Sequence, residues 1–126
     1  MSRDYHNVRI FIVEDEFLIG SALQADLEAR GFHVFGPYPT LALAQAAAGA
    51  EQYDVAIVDM NLHGVLAYPV ADELMRRKVP LVILSGYSTA EMPAKYRGLM
   101  KLTKPCTVDA LLGAIDRVLV KPTAAA

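Results

Sequence analysis

Val8-Arg9-Ile10-Phe11-Ile12-Val13-Glu14-Asp15-Glu16 is the stretch that decides the fold. Apart from Arg9 its first six residues are apolar, mostly β-branched, and they stop abruptly at three acids. So short a run bounded by charge reads as a buried strand, because a helix of a globular protein is usually about ten residues or longer. From Phe17 to Arg30 the pattern changes. Ile19, Ala22, Leu23 and Leu27 recur at three- and four-residue spacing, and Gly31 supplies a helix stop. The opening of the chain is therefore strand, acidic junction, helix.

Working outward, the same unit recurs. His33–Phe35 is a short second strand closed by Gly36-Pro37, and Thr40 caps an alanine-rich helix that runs to Gly49. Val55–Val58 is a third apolar strand, and it too ends in an acid, Asp59. Pro69 to Lys78 reads as a helix with Val70, Ala71 and Leu74 on one face, followed by the strand Val79–Leu84. A Gly/Pro-punctuated stretch leads to a weaker fifth strand, Leu99–Thr103. Thr107 then caps a last helix whose Val108, Leu111, Leu112, Ile115, Val118 and Leu119 form one stripe, ended by Pro122. Continuously apolar strands are covered on both faces, which calls for a parallel sheet with helices on each side. The expected fold is α/β, a flavodoxin-like doubly wound (βα)5 with a five-stranded parallel sheet in the order 2-1-3-4-5. The expected domain covers residues 7–120, with 121–126 as a disordered tail.

Composition narrows the function classes. The chain has 126 residues, 54% hydrophobic and 21% charged, with 12 Lys+Arg against 14 Asp+Glu and a net charge of -2. That fits one soluble domain and leaves little room for a second, output-bearing one. A lone cysteine, Cys106, cannot close an internal disulfide, which favours a reducing compartment, the cytoplasm. No apolar run approaches the roughly 18 residues of a membrane span, and the near-neutral balance argues against nucleic acid as a partner.

Polar groups stand where the buried strands end: Glu14 and Asp15, Asp59, Ser85, and Lys104. On a parallel sheet all of them face one edge. Converging carboxylates repel in a partly desolvated cleft, so the set requires a compensating cation. Oxygen-only ligands suggest Mg²⁺, while Lys104 and the Ser85 hydroxyl suit phosphoryl oxygens. Together they are the parts of a phosphoryl-transfer site with a carboxylate nucleophile.

Glu14-Asp15, Asp59, Ser85 and Lys104-Pro105, in that order, resemble the receiver domain of two-component response regulators. The resemblance covers about residues 7–120. It implies that Asp59 accepts a phosphoryl group from a histidine kinase or histidine phosphotransfer protein. It also implies that Asp15, Asp59 and the backbone carbonyl of Asn61 ligate Mg²⁺, with Glu14 acting through water, and that the Lys104-Pro105 peptide is cis. The implied output is contact with a downstream protein, or service as a phosphate sink, by a monomer or weak homodimer.

The chain departs from the family pattern where receivers usually carry a switch aromatic, three residues before the lysine; Lys101 stands there. With Leu84-Ser85-Gly86-Tyr87, this resembles a subgroup of stand-alone receivers bearing a Phe-Ala-Thr-Gly-Tyr-type motif. Tyr87 is the candidate to take over the switch role, in a segment from 85 to 98 expected to be short or mobile. Two other readings remain open. A phosphorylation-independent adaptor would need no phosphoacceptor. A small phosphatase of the haloacid dehalogenase type would need an acid two residues beyond its nucleophile, and Asn61 is there instead. His63, four residues after Asp59, reads as a loop residue, and Cys106 as packing.

Overall fold

β1 (Arg9–Val13) alternates its side chains between two cores, and the rest of the molecule is arranged around that alternation. The computed structural model describes residues 5–86 and 92–124, with side chains described up to Leu119. Phe11 and Val13 face one side of the sheet, Ile10 and Ile12 the other. All four are fully buried. At about 1.5–3 kcal/mol for each large apolar side chain removed from water, this one strand contributes to two cores at once.

Among the described residues six further strands follow: β2 (His33–Tyr38), β3 (Val55–Asp59), β4 (Asn61–Leu62), β5 (Val65–Leu66), β6 (Leu81–Ser85) and β7 (Met100–Thr103). The main sheet is parallel and runs β2-β1-β3-β6-β7, the order expected from the sequence. Among the described residues four helices, α1 (Phe17–Ala29), α2 (Leu41–Ala48), α3 (Tyr68–Arg76) and α4 (Val108–Ala124), cover it. Ala44 and Ala48 of α2 and Val70, Ala71 and Leu74 of α3 pack on the Phe11 side. Leu27 of α1 and Leu111, Leu112 and Ile115 of α4 pack on the Ile10 side. Thr40 and Thr107 cap as read: the Thr40 hydroxyl accepts from the Leu43 N–H at 3.2 Å, and that of Thr107 from the Ala110 N–H at 3.0 Å.

The structure corrects the sequence reading in four places. β2 continues through Gly36-Pro37, whose peptide is cis, to Tyr38, with a register shift against β1 between Phe11 and Val13. Gly36 is required there, since at φ 101° a Cβ would stand 2.5 Å from the Ile12 carbonyl. α4 runs past Pro122 to Ala124, so residues 121–124 extend the helix; a proline so near the end removes only one terminal hydrogen bond. The short element expected between β6 and β7 is, in its described part, a 3₁₀ turn at Ala94–Tyr96 rather than an α-helix. Finally, β4 and β5 form a small antiparallel hairpin directly after Asp59, turned by His63 and Gly64, both at positive φ (52° and 89°).

Candidate functional site

The carboxyl ends of β1 and β3 lie side by side in the sheet, with Val13 paired to Val58. Glu14 and Asp59 leave those ends as the chain emerges from the core, and both stay buried, at 3% and 2% exposure. Carboxylate oxygens of Glu14, Asp15 and Asp59 all lie within 4.8 Å of one another. Lys104, following β7, reaches across the edge. Its Nζ donates to Asp59 Oδ2 at 2.7 Å and stands 3.6 Å from Glu14 Oε1. The Lys104 N–H donates to the Ser85 carbonyl at 3.0 Å, which ties it to the end of β6; the Lys104-Pro105 peptide is cis, as expected.

Electrostatics at this edge are unbalanced. Burial holds the Glu14 and Asp59 carboxyls above the ordinary carboxylate range, and the Lys104 ammonium only partly opposes it. Burial pulls Lys104 down, but the hydrogen bond and charge of Asp59, with the charges of Glu14 and Asp15, outweigh it and leave Lys104 raised overall. Glu14 uses Oε2 to accept the Glu16 N–H at 3.0 Å, whereas Oε1 is buried and accepts no hydrogen bond among the described residues. A buried carboxylate oxygen that accepts no hydrogen bond, beside two other carboxylates, fits a cation or a cation-bound water. The donor set is oxygen only and the spacing suits a hard divalent ion with metal–oxygen distances of about 2.1 Å, so these residues fit Mg²⁺.

The structure brings together Glu14, Asp15, Asp59 and Lys104, and places Ser85 at the end of the neighbouring strand β6, 5% exposed. Asn61 lies beside Asp59 and donates its N–H to Asp59 Oδ1 at 3.1 Å, while its own side chain accepts the Gly64 N–H at 2.6 Å. Tyr87, the candidate switch residue, lies outside the described residues. Lys101 is partly buried on β7, and its Nζ donates to the carbonyls of Arg97 and Leu99 at 2.7 and 3.0 Å. Sequence reasoning missed His63. The hairpin turn carries its Nδ1 to 2.5 Å from Asp15 Oδ2. A His-Gly pair flanked by Leu62 and Val65 was the signal, since two-residue hairpin loops favour residues tolerant of positive φ.

A doubly wound parallel sheet with a buried carboxylate triad and a lysine at the carboxyl edge of its central strands defines the class. The response regulator receiver domain model matches residues 10–116, and the chain belongs to that family. Among curated proteins it is similar to the cell cycle response regulator CtrA of Brucella ovis, 29% identical over 121 residues. That match covers 88% of this chain and 50% of CtrA, so the chain spans about half the length of such relatives. Among solved structures, SdrG from Sphingomonas melonis Fr1 is 32% identical with a TM-score of 0.70, over 90% of this chain and 97% of its own. PhyR from Brucella abortus is 25% identical with a TM-score of 0.79, over 94% and 50%. Receiver domains work in two-component signalling, bind Mg²⁺ at an acidic pocket, and are in general phosphoryl acceptors rather than enzymes. No helix among the described residues is long and apolar enough to cross a membrane.

Proposed function

We propose that this receiver takes a phosphoryl group onto Asp59 in a Mg²⁺-dependent reaction. The observation that carries the reading is Asp59 itself, 2% exposed at the end of β3, hydrogen-bonded to Lys104 and ringed by Glu14 and Asp15. The donor is the phosphohistidine of a kinase or phosphotransfer protein. An Asp59 oxygen attacks phosphorus, the P–O bond forms as the P–N bond breaks, and the electron pair returns to the donor imidazole, which takes a proton. Glu14, Asp15, Asp59 and the Asn61 carbonyl would hold Mg²⁺, which when bound neutralises charge on the phosphoryl oxygens. Lys104 shifts from the carboxylate to a phosphoryl oxygen, and Ser85 donates its hydroxyl to another. The new dianion then biases the 85–98 connection, and the output is contact with a downstream protein or drainage of phosphoryl groups from a relay.

The donor protein must cover the acidic edge to deliver its phosphoryl group. Phe17 and Leu18, each 80% exposed at the start of α1, border Glu14 and Asp15 and supply the apolar footing for such a docking. The central test is incubation with acetyl phosphate and Mg²⁺ followed by intact-mass measurement. One phosphoryl group added to the wild type, labile in alkali and absent in Asp59→Asn, is the expected result. No addition, or equal addition in the variant, overturns the assignment.

A further inference from the structure

Beside the expected Mg²⁺ set lies a second group of ligand-bearing side chains that shares one member with it. Nδ1 of His63 and carboxylate oxygens of Asp15 and Glu16 also lie within 4.8 Å of one another. The β4–β5 hairpin delivers His63: Asn61 pairs with Leu66, and the Ala67 N–H donates to the Met60 carbonyl at 2.9 Å, which pins the hairpin's base to β3. Glu16 is placed from the other side, through its N–H on Glu14 Oε2.

We propose that Asp15, Glu16 and His63 form a site for a first-row divalent cation of the Zn²⁺ class, and that an ion bound there competes for Asp15 with the Mg²⁺ set. The competition rests on the receiver reading; the site itself does not. Three observations carry it. One imidazole nitrogen with two carboxylates is a ligand set that Zn²⁺ accepts and Mg²⁺, which takes oxygen, does not prefer. Zn–N and Zn–O bonds of about 2.0–2.2 Å put tetrahedral ligands roughly 3.4 Å apart. The 2.5 Å contact between His63 Nδ1 and Asp15 Oδ2 would open to that spacing as the ion takes its place, and the exposed Glu16 side chain and His63, 71% exposed, can rotate to meet it. Charge makes the third point. Among the described residues, Glu14, Asp15, Glu16 and Asp59 crowd this edge against one lysine that pairs with them, Lys104. One divalent ion leaves that edge still net negative. Asp15 has two oxygens but one carboxylate plane, so an ion held toward His63 draws it away from Glu14 and Asp59.

Calorimetric titration of the unphosphorylated protein with Zn²⁺ tests the site. One ion per chain is expected, with at least a tenfold loss of affinity in His63→Asn, which tolerates the positive φ of that position. Mg²⁺ affinity should be the same in both proteins, and Cys106→Ser should bind Zn²⁺ like the wild type. Absence of Zn²⁺ binding, or equal binding by wild type and His63→Asn, overturns the site. Competition is read from acetyl phosphate labelling at fixed Mg²⁺. Zn²⁺ should slow labelling of the wild type and leave His63→Asn unaffected, and equal slowing of both overturns the competition. If no protein labels even without Zn²⁺, the receiver reading has failed, and the calorimetry still decides the site.

Discussion

Two carboxylates in this protein accept nearly the same hydrogen bond and are pushed in opposite directions. Asp59 accepts from Lys104 at 2.7 Å, and burial nonetheless raises its pKa. Asp72, on α3, accepts from the Tyr96 hydroxyl at 2.6 Å and contacts Lys95 at 3.1 Å; the Tyr96 hydrogen bond lowers its pKa. The difference is the surroundings. Asp59 ends a strand whose five residues are all buried, while the Asp72 side chain keeps 44% of its surface in solvent. Desolvation outweighs a favourable bond in the first case and is minor in the second. The acidic edge thus holds buried charge that a cation can compensate. The α3 contact fastens the 3₁₀ turn, with Tyr96 also stacked on Tyr68 at a centroid distance of 4.5 Å.

The largest expected effect comes from removing the cation at the acidic edge. Lys104→Met leaves Glu14 and Asp59 buried and uncompensated, and denaturant unfolding should show a loss of about 2–3 kcal/mol in metal-free buffer. Saturating Mg²⁺ should restore part of it. For the wild type, Mg²⁺ at ten times its Kd should add about 1.4 kcal/mol, read as a rise in Tm, with a much smaller rise in Asp59→Asn. An equal rise in both would remove Asp59 from the ion's ligands. Smaller still is Tyr96→Phe, expected to cost under about 1 kcal/mol because its partner faces water, yet to speed amide hydrogen exchange around residues 92–99. If exchange is unchanged, the Asp72 bond does not fasten the turn.

pH sharpens the same contrast because the two carboxylates have opposite signs. Asp59 binds its proton more tightly folded than unfolded. Its contribution to stability is full below the unfolded carboxylate range and is lost as pH rises through the raised value. Asp72 contributes above that range, and its part is lost as pH falls through the lowered value. Without metal, stability relative to Asp59→Asn should therefore fall with rising pH, and relative to Asp72→Asn should rise. The last prediction leaves both carboxylates in place. Phe17→Ala with Leu18→Ser should slow labelling by a phosphodonor protein several-fold and leave acetyl phosphate labelling unchanged; equal slowing of both would place those residues in the fold rather than in docking.

Much of the site was legible because parallel strands force their ends to one edge. Once Val8–Val13 and Val55–Val58 read as buried strands, Glu14, Asp15 and Asp59 had to meet. Ser85 and Lys104 followed by the same logic. His63 was not legible from periodicity, since its meeting with Asp15 depends on a two-residue turn that carries it to the acidic residues following β1. Gly36-Pro37 misled as a strand stop, because only packing against Gly20 and the Ile12 carbonyl reveals why the strand runs through it.

The sequence by itself determined the layer order, the two covered sheet faces and which acids share an edge, because apolar periodicity and strand direction are local properties that propagate. Tertiary structure alone decided how far each acid is buried, that Glu14 Oε1 accepts no hydrogen bond, that Lys104 pairs with Asp59 rather than solvent, and that His63 touches Asp15. Those depend on distances between segments far apart in the chain, and the energy of a charge depends on what surrounds it in space, not on its neighbours in sequence.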